Sequence, residues 1–548
     1  MDFYFSIMRS ILCLTLLGFH VALAIPERNS EAIKARRLEE EQIDQQMHPD
    51  LRLKTKNYRS KPNLEADTSY WLDEANKSLQ RQINKKLNLN EAKNVIIFLG
   101  DGMSIPTLMA ARTYQGQLMG KPGEEGELYW ETFPFTGLAK TWCLDQQIAD
   151  SACTSTAYMS GVKSNHGTLG VNGHVIRGDC KSQQNRTNHV SSILQWATKF
   201  GKSAGIVTTT RVTHASPGGG YAHVADRDWE SDTDVIKGKA NPRECMDIAA
   251  QLITQEPGKN FQVIMGGGRR AFLGKKSVDE EGTRGARTDG RNLIDEWKRD
   301  KNWRGKTHLY SWNRTSVLDI ISHPERYEYV LGLYQDTHCP FHFESSPEAD
   351  PTLAEMTEAA VKVLRRNSKG FVLFVEGGRI DHAHHAAWAK VALDETLELV
   401  KAVKKGRELT SSDDTLIIVT ADHAHTMSIA GYSQRGNPIA GKSTHLGSDK
   451  LGYLTLSYAN GPGYKTTIAG VRHNIDNDNI ADMKYIYPGT VPLELETHGG
   501  DDVAIFASGP WSHLFTGTIE QSSIPHFLAY ASCIRQGSAC DALRQAAV

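Results

Sequence analysis

An α/β fold, a three-layer α/β/α sandwich around a central, mostly parallel sheet, follows from three observations in this 548-residue chain. Six short, nearly all-apolar, β-branched runs recur along the sequence. Helical stretches lie between them. Several runs end in Asp, Glu or His beside glycine. Apolar runs without polar alternation are strands covered on both faces. Strand–helix alternation predicts parallel pairing with helices on both sides. In such sheets the ligand lies beyond the carboxyl ends of the strands.

In chain order, Arg9 precedes an apolar run over 11–19, and Ala22-Leu23-Ala24 follows. That pattern predicts a secretory signal peptide over residues 1–24, too short to span a bilayer comfortably. Residues 25–66 are rich in Glu, Arg, Lys and Gln and poor in aromatics, and read as a charged, loosely attached arm. Residues 67–548 form the main domain. An amphipathic helix is expected over 69–86.

The six strands follow at 95–99, 205–209, 261–265, 371–375, 415–419 and 503–507. They run into Gly100-Asp101-Gly102, Thr213-His214-Ala215-Ser216-Pro217, Gly266-Gly267-Gly268, Glu376-Gly377-Gly378, Thr420-Ala421-Asp422-His423 and Ser508-Gly509-Pro510. Helices are expected over 190–200, 353–366 and 388–405. Residues 431–495 are rich in Gly, Ser, Tyr and Asn and lack the rhythm. They read as an insertion of short strands and loops near the site entrance. The last residues, 541–548, are not the apolar tail of roughly 10–20 residues that a lipid anchor signal needs. The expectation is a soluble protein, extracellular or lumenal, with no membrane anchor.

Lys and Arg number 62 against 64 Asp and Glu, a net charge of −2, and no basic stripe marks nucleic acid as a specific partner. Of eight cysteines, Cys13 falls in the signal. The odd remainder leaves a free thiol or an intermolecular bridge in an oxidising compartment. Cys533 and Cys540 are close enough in sequence to close a small loop. Asn76-Lys77-Ser78, Asn185-Arg186-Thr187 and Asn313-Arg314-Thr315 are glycosylation sequons.

The candidate nucleophile is Ser151, in Asp150-Ser151-Ala152-Cys153-Thr154. A serine opening a helix sits among unpaired backbone N–H groups at the positive dipole end, suited to an anionic substrate. Asp150 and Ser151 could equally be an ordinary helix cap. Three further groups carry metal-binding residue types. Asp381-His382-Ala383-His384-His385 sets a carboxylate and an imidazole four apart, on one helix face. Asp422 and His423 follow a strand. His498 stands in the glycine loop Glu496-Thr497-His498-Gly499-Gly500. Mixed His/Asp sets suit zinc, and all-oxygen sets suit magnesium.

Taken together, Gly100-Asp101-Gly102-Met103, Asp150-Ser151-Ala152, Thr213-His214-Ala215-Ser216-Pro217, Val375-Glu376-Gly377-Gly378-Arg379-Ile380-Asp381-His382, Thr420-Ala421-Asp422-His423 and Glu496-Thr497-His498 resemble the animal alkaline phosphatases. The likeness runs from about Tyr70 to Cys540. It implies a phosphomonoesterase of broad specificity, active at alkaline pH through a phosphoserine on Ser151. It implies one zinc on Asp381, His385 and His498, a second on Asp422, His423 and Asp101 near the Ser151 oxygen, and one magnesium on Asp101, Ser216 and Glu376. Arg227 matches the phosphate-clamping arginine, and His214 stands beside that site.

The resemblance also implies a homodimer, with 431–495 as a crown-like insertion at its interface and Tyr432 near the partner's site. It pairs Cys180 with Cys245 and Cys533 with Cys540. Cys143, Cys153 and Cys339 are left unassigned, with Cys153 expected reduced and buried. Tyr334-Gln335 stands where the family carries a Phe-Glu pair of a calcium site that Asp350 also matches, and losing that carboxylate weakens such a site. Two rival readings are a phosphodiesterase or sulfatase on the same fold, and a secreted binding glycoprotein without activity. The first would favour diesters or sulfate esters, and the second would lack a nucleophile or ligand.

Overall fold

Val95-Ile96-Ile97-Phe98-Leu99 has no polar alternation because both of its faces are covered. Strand β1 (Asn94–Gly100) is buried at every position. The other strands follow as β2 (Phe135–Lys140), β3 (Ser203–Arg211), β4 (Val263–Gly267), β5 (His308–Ser311), β6 (Tyr329–Leu333), β7 (Phe371–Gly377) and β8 (Thr415–Ala421). After them come β9 (Ala424–His425), β10 (Ser428–Ile429), β11 (Lys442–Leu446), β12 (Gly452–Leu454), β13 (Leu456–Gly461), β14 (Gly489–Pro492), β15 (His498–Gly499), β16 (Val503–Ser508) and β17 (Gly517–Glu520). Ten of them make one sheet in the order β17-β2-β16-β8-β1-β7-β3-β4-β6-β5. Every pairing in it is parallel except those of β16 with β2 and β8.

Two aromatic side chains demonstrate the three layers. Phe98 packs under Gly406 of the helix Ala389–Glu408, where an added Cβ would stand 2.7 Å from its ring. Phe374 stacks on Tyr158 of the helix Ser151–Ser160, with centroids 6.1 Å apart. The register pairs Ile97 with Phe374 and Phe98 with Val375, so the two rings leave the sheet on opposite faces. The helix Leu353–Leu364, opened by a Thr352 and Glu355 capping box, joins the Phe98 side. The helices Ile193–Lys199 and Ile524–Ala531 join the Tyr158 side.

The computed structural model describes residues 35, 38–43, 47, 64–466 and 470–534. The chain divides into two compact units, Tyr58–Val548 and Met1–Asn57, the described residues of the second being helical. The expected signal peptide, and the 25–66 arm outside 35, 38–43, 47 and 64–66, lie outside the described residues. The expected helix at 69–86 is Thr68–Ile83 and buries none of its residues. The 431–495 stretch contains β11 to β14, with β13 pairing β10 and β14. No described helix is long and apolar enough to cross a membrane.

Four sheet strands go beyond the expected six. β5 and β17 are short and partly exposed at the two edges, and β2 is half-exposed one place in from its edge. Pairing decides such segments, because β preference depends on what covers a strand. β6 is different: Tyr329-Val330-Leu331-Gly332-Leu333 is apolar and fully buried, and its sequence carries the same signal as the others.

The cysteines correct one expectation. Cys180–Cys245 is bonded as the resemblance implies. Cys153 is buried but not reduced, because it is bonded to Cys143 with Cα atoms 5.8 Å apart. The segment between them turns back, the Cys143 N–H donating to the Gln146 carbonyl at 3.1 Å. Cys339 is the free cysteine among the described residues, buried, with burial pushing its thiol up to about 12. Cys533 is disulfide-bonded, and Cys540 lies outside the described residues. Replacing Cys180 and Cys245 together by serine unties residues 65 apart in sequence. The chain-entropy effect is about 4 kcal/mol, so the thermal midpoint followed by circular dichroism is expected to fall by many degrees.

Candidate active site

Register alone brings three carboxylates to one edge. Leu99 of β1 pairs with Glu376 of β7 on one side and Thr420 of β8 on the other. Asp101 and Asp422 therefore emerge at the same level beside Glu376, and all three are buried. Gly102 turns the chain at φ 68°, and a Cβ there would stand 2.3 Å from the His425 ring. Its N–H donates to Asp422 Oδ1 at 3.0 Å.

Ser151 is the first residue of a helix buried along its whole length. Its small residues permit close approach: a Cβ on Gly219 would meet Ser155 Oγ at 2.2 Å. Asp150 caps the helix through the Cys153 N–H at 3.2 Å, and also accepts from the Gly167 N–H at 3.1 Å and Arg227 Nη1 at 3.0 Å. Burial opposes its ionisation, but Arg227, His166 and these N–H groups outweigh that and hold its carboxyl below the usual range. Arg227 Nη2 also donates to His214 Nε2 at 3.1 Å. Ser151 Oγ lies 3.1 Å from His423 Nε2 and 3.5 Å from Asp101 Oδ1.

Two clusters converge beside that oxygen. Asp101, Asp422 and His423 offer atoms all within 4.8 Å of one another, and so do Asp381, His385, His425 and His498. The tautomers are legible from the partners. Nδ1 of His385 donates to the Glu496 carbonyl at 2.5 Å, Nδ1 of His498 to Ala149 at 2.7 Å, and Nδ1 of His423 to Ala424 at 3.3 Å. Each Nε2 is left as a lone pair. The two from His385 and His498 stand 3.0 Å apart, at 3.4 and 3.3 Å from Asp381 Oδ1. Lone pairs and a carboxylate crowded this way repel unless a cation sits among them, so the donor set fits a metal of the zinc type.

His425 belongs to the second cluster but has no lone pair to give. Its Nδ1 donates to Glu496 Oε2 at 2.5 Å and its Nε2 to Asp381 Oδ1 at 2.7 Å. Burial opposes the charge, but Glu496 and Asp381 prevail and push His425 up to about 10. It orients the Asp381 carboxylate rather than offering a further donor.

A third group joins Asp101, His214 and Glu376. Glu376 Oε2 accepts from Thr208 and from Thr210 at 3.1 Å, while its Oε1 and Asp422 Oδ2 are buried without a partner. Ser216 Oγ donates to Asp101 Oδ2 at 3.4 Å. Burial, with Asp422 adding, pushes Glu376 up to about 7. Buried carboxylate oxygens without hydrogen-bond partners are what a hard cation satisfies, so these residues fit magnesium. All eleven sequence-selected residues, His214 included, thus gather at one sheet edge. His425, Glu496 and Asp150, which holds the expected Arg227, complete the site without having been assigned a role in it from the sequence.

Gln335 and Asp350, the positions matched to a calcium site, lie together. Gln335 Nε2 donates to Asp350 Oδ1 at 2.8 Å, and the Ser346 N–H to Asp350 Oδ2 at 2.9 Å. Each Asp350 oxygen already accepts a hydrogen bond, and the Gln335 amide adds no negative charge to attract a calcium ion. About 1 mM calcium, enough to load weak extracellular-type sites, is expected to leave the thermal midpoint unchanged. A rise of several degrees in a melting scan would contradict this.

The alkaline phosphatase family model matches residues 92–534. The chain is 49% identical over 478 residues to the membrane-bound alkaline phosphatase of Bombyx mori, covering 86% of each. It is 46% identical over 480 residues to the human tissue-nonspecific alkaline phosphatase isozyme, covering 86% of this chain and 90% of the relative. Among solved structures, the alkaline phosphatase of the Antarctic bacterium TAB5 shares the fold at a TM-score of 0.56 and 21% identity, over 82% of this chain and 100% of that one.

Proposed function

This chain belongs to the alkaline phosphatase family and is a phosphomonoesterase, and from that premise we propose that it hydrolyses a broad range of phosphate monoesters at alkaline pH through a phosphoserine on Ser151. The observation that carries the reading is the position of Ser151 Oγ, 3.1 Å from His423 Nε2 at the mouth of two lone-pair clusters. Asp381, His385 and His498 would hold one zinc, and Asp422, His423 and Asp101 a second. Asp101, Ser216 and Glu376 would hold one magnesium. When bound, these ions supply Lewis-acid charge at the phosphoryl group and lower the proton affinity of nearby hydroxyls.

The chain's own residues do the rest. Ser151 opens its helix, so the incoming phosphoryl oxygens meet the positive end of the helix dipole. Its Oγ gives up its proton to solvent and bonds phosphorus as the bond to the ester oxygen breaks, and that oxygen leaves as the alcohol after taking a proton from water. Water then cleaves the phosphoserine, returning a proton to Oγ and releasing phosphate. Arg227 presents a planar fork for two phosphoryl oxygens, and Asp150 and His214 hold that fork still. No part of this grips the alcohol, which accounts for broad specificity.

The same reading takes 67–548 as the catalytic domain, 431–495 as a crown-like insertion, and the protein as a secreted, glycosylated homodimer. Comparing p-nitrophenyl phosphate with bis-p-nitrophenyl phosphate tests it: preference for the diester would overturn it. Arg227→Ala is expected to raise the inhibition constant of inorganic phosphate roughly 10- to 100-fold, the worth of charge-assisted hydrogen bonds. An unchanged constant would remove Arg227 from the clamp.

A further inference from the structure

The disulfide between Cys143 and Cys153, ten positions apart in sequence, closes a small loop around the nucleophile. Three working groups sit at the inner end of that loop, in consecutive residues. The Ala149 carbonyl accepts from His498 Nδ1 at 2.7 Å, which fixes the tautomer that turns His498 Nε2 toward Asp381. Asp150 caps the helix and holds Arg227 at 3.0 Å. Ser151 follows.

The rest of the loop is weakly tied. Residues 144–148 are all exposed, while Cys143, Ala149 and Cys153 are buried together in a small apolar cluster of their own. At its outer end two single hydrogen bonds tie the loop to its surroundings: Leu144 N–H to the Ser164 carbonyl at 3.0 Å, and His166 N–H to Asp145 Oδ1 at 2.8 Å. The Cys153 backbone is also the pivot of the cap, because its own N–H donates to Asp150 Oδ1 at 3.2 Å.

We propose that the Cys143–Cys153 disulfide is a positioning element of the active site, a covalent clasp that sets Ala149, Asp150 and Ser151 against His498 and Arg227. It touches no substrate. It acts through the Ala149 carbonyl on a zinc-type ligand and through the Asp150 carboxylate on the phosphate fork. The proposal rests on the reading of Ser151 and Arg227 given above. A closed loop has fewer conformations to lose than an open one, so here the constraint is spent on registering three consecutive residues.

The test is the double variant C143S/C153S, which removes the bond without leaving a lone thiol. Three readouts are compared with the unaltered protein: the inhibition constant of inorganic phosphate, zinc retained after competition with a chelator, and folding by circular dichroism. The expected result is a folded protein in which phosphate inhibits roughly tenfold more weakly and zinc is lost roughly tenfold more readily, the range seen when a partner that orients a metal ligand is removed. A purely structural bond would lower the melting temperature and move neither constant.

Should the double variant not fold, the unaltered protein answers instead. It is treated with tris(carboxyethyl)phosphine, which carries off the two electrons' worth of oxidation as phosphine oxide, and the freed thiols are alkylated and mapped. Weakening of phosphate inhibition is expected to track labelling of Cys143 and Cys153. Labelling of that pair with unaltered phosphate and zinc constants would overturn the clasp. Retained turnover in Ser151→Ala would instead overturn the underlying reading, so the two failures are separable.

Discussion

Ser151→Ala is expected to lower kcat for p-nitrophenyl phosphate by roughly a thousandfold or more, since it deletes the nucleophile and with it the covalent route. The protein should still fold. Ser151 is 1% exposed, but its hydroxyl lies 3.1 and 3.5 Å from His423 Nε2 and Asp101 Oδ1 rather than supporting the core. Alanine is a strong helix former and loses one oxygen. The Asp150 cap, which accepts from Cys153 and Gly167, is untouched. Inorganic phosphate should continue to bind, because Arg227 remains. Steady-state kinetics with a phosphate titration and a circular dichroism spectrum check all three. A folded variant with near-unaltered turnover would remove Ser151 from the chemistry.

The second large effect is expected at Asp381→Asn. Asp381 Oδ1 is the shared partner of His425 at 2.7 Å, His498 at 3.3 Å and His385 at 3.4 Å. Asparagine keeps the volume and removes the charge. His425 is then left with Glu496 as its only counter-ion of the pair, and the Nε2 lone pairs of His385 and His498 lose the anion that completes their donor set. Zinc retained after dialysis against a chelator is expected to fall at least about 100-fold, beyond what is typical for an outer partner of a metal site. Turnover should fall with it, while the Asp150–Arg227 pair is untouched. Zinc content and activity equal to those of the unaltered protein would show that Asp381 is no ligand.

Much of this site can be read from a single sequence because parallel sheets export chemistry to one edge. Asp101, Glu376 and Asp422 each follow an apolar run, which places them at one sheet edge, whereas the pairing of Leu99 with both Glu376 and Thr420 that makes them neighbours comes from the folded sheet. Ser151, Ser216 and His498 are less determined, since a serine cap or a lone histidine is common, and their weight came from occurring together with the others.

The rest depends on three dimensions. His425 lies 44 residues from Asp381 and 71 from Glu496, and only the folded chain makes it a charged bridge between them. Arg227 and Asp150 are 77 residues apart. Cys143 and Cys153 are near in sequence, but nothing in Leu144-Asp145-Gln146-Gln147-Ile148 announces that the chain returns, so Cys153 read as a buried thiol. The edge strands β5 and β17 escape for a related reason: they owe their form to a neighbour more than to their own pattern.

The central claim is the covalent step on Ser151. The most direct measurement is acid quenching of the protein during turnover of p-nitrophenyl phosphate, followed by peptide mapping of the phosphoryl group by tandem mass spectrometry. The account predicts phosphoserine at position 151 in the unaltered protein and none there in Ser151→Ala. A phosphoryl group found on another residue, or turnover with no phosphorylated peptide under conditions that preserve phosphoserine, would contradict it.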